Sequence, residues 1–409
     1  MAIDSIRLYP SGIGAPHSTR FRLTWTGQLD RWRCVANQPG FPIRVSCAAI
    51  EEALTRENGQ AFLLRSLSRA CGQELNITQV DPEITVYKDQ EGSDSGIFKV
   101  TAKVTTGSGE TKPVSFCINA AKASSQNQRH HDIFDNFIQL RKIDPRFVVR
   151  PYFYTIGKAL HQGSEVGLAV FSVEWLEGYS EVSAVNIAED FSGLPPDLGM
   201  APAGMRRFFL NDRKFKSMHE AEIRDRKLTE ALGEEMIRIL FTYFDLETGI
   251  GIHNFGINNG DFVYKALPDG SFSLKLISVR RFAPFPKAEI VGKSHFNILG
   301  FIDKLLYKKE TSVTHNDPAD RYYDTLAIYP FTALDICRGI RKALIEKYGP
   351  EAYKPVLLKI LGTLLLMSKL SLKTIDLTSE EIARNIEVSI EITRFISEEE
   401  KFESGIIEV

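Results

Sequence analysis

Apolar and polar positions alternate with period two over several short stretches of the chain, the spacing of a half-buried strand. Over 84–88, 98–104 and 113–121 this alternation predicts three strands, separated by a polar loop at 90–96 (QEGSDSG) and a turn at 105–111. The spacing then changes. Ile133, Phe137, Leu140 and Ile143 recur every three or four residues, as on one helix face, and Asp144-Pro145 stops the pattern before a strand over 147–152. A further buried strand ends in Glu174-Trp175-Leu176-Glu177-Gly178. A long amphipathic helix is expected over 227–243, with Leu228, Leu232, Met236, Ile237, Ile239 and Leu240 on its apolar face. Beyond it, 262–264 and 274–277 read as the two strands of a hairpin around Pro268-Asp269-Gly270. Helices follow over 340–348 and 353–371, and the helix start Thr378-Ser379-Glu380-Glu381 opens a last one to about 396.

The first 80 residues read differently. Strand-like alternation at 6–9, 20–25 and 32–35 gives way to helical spacing through Ile50, Leu54, Phe62, Leu63 and Leu67, with a break at Asn58-Gly59. The expectation is an N-terminal α+β module over 1–80, then parts at 81–178 and 179–409. Two roles for that module stay open, a structural cap on the rest of the chain and a partner-recognition module.

Composition narrows the class. With 43% hydrophobic and 25% charged residues, the 409-residue chain has the make-up of a soluble globular protein. A net charge of −2 gives no electrostatic footprint for nucleic acid or a membrane surface. Five cysteines, odd in number and without CxxC spacing, fit reduced thiols in a cytoplasmic protein better than a disulfide framework or a zinc site. The opening MAIDSIRLYP lacks the basic-then-apolar pattern of a secretory signal. The most apolar run, 356–372, is interrupted by Lys359 and Lys369 and reads as a buried helix rather than a membrane span. His130-His131 has no third ligand nearby and reads as a solvated helix start.

Taken in order, the polar loop, third strand, helix, Glu174–Gly178 segment, long helix and hairpin resemble the protein-kinase-like superfamily over about 80–345. The best match is 167–182 (GLAVFSVEWLEGYSEV), which is similar to the hinge joining the lobes of such proteins. The resemblance implies an α+β, bilobal fold, with a β-rich small lobe, an α-rich large lobe and the N-terminal extension. It implies ATP as the cofactor, with Gly92 and Gly96 over the phosphates and the backbone of Glu174 and Leu176 at the adenine. The family's motifs, however, are rewritten. Asn119 stands where the phosphate-binding lysine is expected, with Lys122 just beyond it, and Asn136 where the helix carries its glutamate. At the catalytic loop the candidates are His253, Asn254 and Asn259, and the amides among them cannot take up a proton near neutral pH. Ser278 replaces the magnesium-binding aspartate, which leaves Asp261, directly before the hairpin, as the candidate ligand for Mg or Mn. Arg280, beside Arg281, brings positive charge next to the missing carboxylate. The 280–316 stretch corresponds to the activation segment, and Asp320 or Asp324 to the aspartate that braces the loop.

Two functions stay open under this resemblance. One is a pseudokinase-like scaffold that binds or regulates a protein or peptide partner, with phosphotransfer lost or strongly altered. The other is an atypical ATP-dependent transferase acting on a protein, peptide or small molecule, with Asp261 holding metal and Lys122 and Arg280 holding phosphate. An unrelated α+β protein is the third reading.

Overall fold

The period-two stretches assemble into one sheet. The computed structural model describes residues 21–27, 29, 40–55, 57–91, 95–186, 206–211, 226–253, 261–285, 331–371 and 379–403. The strands expected at 6–9 and 32–35, Gly92, Asn254, Asn259, the activation segment from 286 onward and the two bracing aspartates lie outside the described residues. The fold mixes α and β, and the chain divides into two units, Met1–Gly178 and Tyr179–Val409.

The first unit is built on six strands: β1 (Arg22–Gly27), β2 (Val80–Glu91), β3 (Ser95–Thr105), β4 (Thr111–Ala121), β5 (Pro151–His161) and β6 (Ser164–Glu174). Their order is β1-β2-β3-β4-β6-β5. All neighbours are antiparallel except β1, which runs parallel to β2. Along β3 the pleat sorts side chains as the alternation requires, with Phe98, Val100, Ala102 and Val104 buried and Lys99 and Thr101 half-buried on the other face. The turn from β5 to β6 uses two residues at positive φ, Gln162 (51°) and Gly163 (80°), the backbone a two-residue hairpin needs to match strand twist.

Helices α1 (Ile43–Thr55) and α2 (Glu57–Cys71) cover the first face of this sheet. Cys47, Ile50, Leu54, Leu63 and Leu67 share one core with Ile84, Val86, Phe98, Val100 and Phe116. Each aliphatic side chain buried this completely stabilises by about 1.5–3 kcal/mol. The stretch 1–80, expected as a module of its own, thus contributes β1, α1 and α2 to a core that continues across residue 80. Contact is close enough to require a glycine: a Cβ on Gly157 of β5 would lie 2.1 Å from the Ala49 carbonyl oxygen. On the second face, α3 (Asn127–Ile143) sets Phe134 and Phe137 against Phe171, with ring centroids 5.9 and 6.5 Å away. Where the β4 ladder ends at Ala120, the Asn127 side chain takes over. Its amide donates to Gly167 O at 2.9 Å and accepts from Ala169 N at 2.7 Å.

The second unit carries α4 (Arg226–Thr242), α5 (Ala333–Tyr348), α6 (Tyr353–Ser371) and α7 (Ser379–Glu403). α5 starts seven residues before the expected 340 because Thr332 caps it. The Thr332 hydroxyl accepts from Asp335 N at 3.0 Å, and the Asp335 carboxylate accepts from Thr332 N at 2.7 Å. Gly349, at φ 82°, ends it. α4 and α5 pack so tightly that a Cβ on Gly339 would sit 2.6 Å from Glu234 O. The buried Glu399 of α7 accepts from Tyr353 Oη at 3.0 Å and pairs with Arg341 Nε at 2.9 Å, which ties α7 to α5 and α6. The strands are β7 (Ser180–Asn186), β8 (Arg206–Asn211), β9 (Ile250–His253), β10 (Phe262–Ala266), β11 (Phe272–Leu276) and β12 (Arg281–Pro284). They form a four-stranded sheet, β11-β10-β7-β8, and a pair, β12-β9. Among the described residues no helix is long and apolar enough to cross a membrane.

Candidate functional site

Four strand ends converge in the second unit. The chain leaves β9 at His253 and re-enters the described structure at Asp261, the residue before β10. It leaves β11 at Leu276 and enters β12 at Arg281, which pairs with His253. The expected hairpin is β10–β11, closed by the Asp269 carboxylate accepting from Ser271 N at 3.0 Å. Asp261 O accepts from Ile277 N at 3.0 Å, so the residues entering and leaving the hairpin are held side by side.

The polar centre of this arrangement is an ion pair. Asp261 is 1% exposed, and its Oδ1 and Oδ2 each lie 3.3 Å from a terminal nitrogen of Arg280, whose side chain is 19% exposed. A buried carboxylate requires such compensation. The two residues expected to hold metal and phosphate therefore hold each other. A divalent cation needs several oxygen ligands beyond one carboxylate. Among the described residues, no group of three His, Cys, Asp or Glu side chains is placed to hold a metal ion.

His253, expected at the catalytic loop, is fixed as a packing residue. It is 3% exposed, its ring stacks on Phe285 with centroids 3.6 Å apart, and its Nε2 donates to Ala283 O at 2.9 Å. A ring nitrogen that donates to a carbonyl holds its proton and does not serve as a base there. Gly251, two residues earlier, makes room for Phe244 and Phe285, with a Cβ there 2.8 and 2.9 Å from their rings.

Gly96, Lys122, Glu174 and Leu176 belong to the first unit. Gly96 lies in β3, paired with Glu91 and Ala120, in ordinary extended backbone. Lys122 follows the last residue of β4 and is 5% exposed. Its N–H donates to Gln126 Oε1 at 3.0 Å, and its carbonyl accepts from Phe41 N at 2.8 Å. Glu174 closes β6, where its N–H donates to Arg150 O at 2.8 Å and its carboxylate accepts from Arg150 N at 3.3 Å. Leu176 is half-buried in the segment that follows. Asn119 lies on β4 and donates weakly to Cys117 Sγ at 3.7 Å, and Asn136 is buried on α3.

Lys99, for which the sequence raised no expectation, joins the expected hinge segment at the end of β6. Lys99 Nζ stands 4.7 Å over the Trp175 ring and 2.9 Å from Glu177 Oε2, and Trp175 Nε1 donates to the same oxygen at 2.7 Å. This folds 175–177 back onto β3. Its one sequence signal is a lysine at a polar position of a strand, which is common on any surface.

No family model matches the chain, and no curated protein matches it.

Proposed function

We propose that the chain is a kinase-like scaffold that works by binding a protein or peptide partner, with metal-dependent phosphotransfer lost or strongly altered. The order of elements supports the kinase-like part of this reading. Three antiparallel strands, a helix and two more strands ending in Glu174 are followed, after β7 and β8, by a long helix and, after β9, by a hairpin, an order that resembles that family's. One observation carries the loss of chemistry: the Asp261 carboxylate, the candidate metal ligand, faces the Arg280 guanidinium with both oxygens at 3.3 Å. In kinases the metal supplies positive charge on the transferring phosphate. Here a fixed cation of the chain already neutralises the carboxylate that would hold it, and His253 is committed to a backbone carbonyl. With these two candidate groups held by the chain itself, binding is the function we assign to such a scaffold.

The second reading, an atypical ATP-dependent transferase, draws on Asp261 lying directly before the hairpin, where a metal ligand is expected. Thermal unfolding with ATP in EDTA, in Mg and in Mn separates the two, with Asp261→Asn as the variant. The expected outcome is that metal adds nothing to any ATP-dependent shift. A metal-dependent rise in melting temperature that disappears in Asp261→Asn would overturn the scaffold reading, because a ligand that binds the folded state raises its melting point by mass action. Asp261→Asn itself is expected to cost about 3 kcal/mol, since it breaks a largely buried ion pair.

A further inference from the structure

β5 closes one end of the six-stranded order, and among the described residues only β6 pairs with it. In an antiparallel ladder, successive residues turn their N–H and C=O alternately toward the partner strand and away from it. The register of β5 runs unbroken from Phe153 to His161, and two bonds fix its parity. Phe153 N donates inward, to Ser172 Oγ of β6 at 3.2 Å, whereas Lys158 N donates outward, to Glu52 Oε2 of α1 at 2.9 Å. Tyr154, Ile156, Lys158 and Leu160 therefore carry the outward backbone groups. At Lys158 a carboxylate oxygen occupies the position where the carbonyl of a further strand would sit. The same four residues share one face of the sheet. On it Ile156 is 37% and Leu160 55% exposed, while Gly157 and Ala159 on the other face are buried under α1. Beside this stripe stand the carboxylates of α3. His131 Nδ1 lies 3.3 Å from Asp135 Oδ2, and its ring meets that of Tyr154 edge-on with centroids 5.0 Å apart. Burial first, then the Asp132 and Asp135 carboxylates, raises the Tyr154 hydroxyl above its ordinary value.

We propose that the outer edge of β5 docks an extended segment of a partner protein, which adds one more strand to the sheet. Its apolar residues would face Ile156 and Leu160, with a Lys or Arg near Asp132 and Asp135. The inference rests on the proposed scaffold only for the existence of a partner; the surface and its chemistry come from β5. A second copy of the chain does not fit this edge. α1 lies directly over β5, where a Cβ on Gly157 would lie 2.1 Å from Ala49 O. Paired strands lie about 5 Å apart, and packed helices need about 8–10 Å between their axes. Two β5 edges cannot pair while each carries its own α1, but a lone extended segment brings no helix. Its main-chain bonds supply affinity and its alternate side chains specificity. The exposed Lys158 side chain does not repel a basic partner strongly, because Glu165 Oε1 lies 3.0 Å from its ammonium. Glu52 guards the edge against unspecific pairing, as charged side chains do on edge strands, and gives way to the partner's carbonyl.

The test uses the full-length chain without metal and short fluorescein-labelled peptides that alternate valine with lysine, threonine or glutamate, read by fluorescence anisotropy. The lysine peptide is expected to bind tightest and the glutamate peptide weakest. Charge alone would give that order, so the lysine peptide is also N-methylated at every second residue, in both settings. Only one setting places the methyl groups against β5. It should weaken binding by about tenfold or more, the loss of main-chain hydrogen bonds, and the other should stay within about threefold. Ile156→Pro removes an outward N–H and leaves the β6 ladder intact. It should weaken binding by about tenfold at an unchanged melting temperature. Glu52→Ala, read with the threonine peptide, should tighten binding by about threefold because it frees Lys158 N. Equal loss from the two methylated settings, weaker binding in Glu52→Ala, or no binding of any peptide to the unmodified chain overturns the assignment. A dimer in solution whose mass halves in Ile156→Pro overturns it in favour of a second copy. None of these metal-free outcomes depends on Asp261, so a metal-dependent shift lost in Asp261→Asn sinks the scaffold reading separately.

Discussion

Asp245 holds the turn that carries the chain from α4 to β9. Its carboxylate accepts from Glu247 N at 2.8 Å and from Thr248 N at 3.3 Å, while Gly249 N donates to its carbonyl at 2.8 Å. The bond from Glu247 N, and then those from Thr248, hold the Asp245 carboxyl below its ordinary value against a smaller opposing effect of burial. A carboxyl depressed in the folded state contributes stability above its unfolded pKa, and that contribution is lost as pH falls through the folded value. Asp245→Ala should therefore lower stability at pH 7 by about 0.5 kcal/mol, a small figure because the group is solvent-screened. The gap to the unmodified chain should narrow as pH falls below the ordinary carboxylate range. Denaturant titrations across a falling pH series check this, and a gap that does not change with pH would mean the charged hydrogen bonds are not its source. Other residues were less legible. The sequence singled out Asp261 and Arg280 separately, but their pairing depends on two registers, β9 with β12 and β10 with β11, that no local pattern encodes. Lys99 was hidden for the same reason, since its partner Glu177 lies 78 residues further on.

At the scale of elements, period and spacing located β2, β3, β4, α3, α4 and the β10–β11 hairpin to within a few residues, because each buries one face and the pattern records that burial. β5 was expected over 147–152 and runs over Pro151–His161. Its sequence is shaped by a neighbour instead of by alternation: Gly157 admits α1, and Lys158 N donates to Glu52 Oε2 at 2.9 Å. β9 and β12 are four residues each, too short to stand out. The shared core of α1 and α2 with the sheet gives a direct test of the 1–80 boundary. A chain beginning at residue 81 would bare Ile84, Val86, Phe98, Val100 and Phe116, all fully buried in the intact protein. It is expected to bind a hydrophobic dye and aggregate. A soluble, dye-silent 81–409 fragment would restore the independent module.

Across the whole molecule, the cysteines report on each unit separately. Cys47 lies in the core of the first unit and Cys337 on α5 of the second, both fully buried. Burial pushes the Cys47 thiol up to about 12, with Lys88 lowering it and Glu51 raising it by smaller amounts, and pushes the Cys337 thiol higher still. The thiolate is the reactive form. Cys71, half-exposed at the end of α2, should therefore react with a thiol reagent in the native chain, while Cys47 and Cys337 react only as their units open. Labelling followed by mass spectrometry across a denaturant series reads the two openings independently. Reaction of Cys47 at the rate of Cys71 under native conditions would mean that the first core is not closed.

The parallel pairing of β1 with β2 has a consequence for synthesis. Arg22 lies opposite Glu83, so some sixty residues separate the two members of this ladder, with α1 and α2 strung between them. During translation β1 leaves the ribosome long before its partner strand exists, and the apolar faces of both helices emerge with no sheet to rest on. The strand made first is thus the one that must wait, and its ladder closes only when β2 has been made.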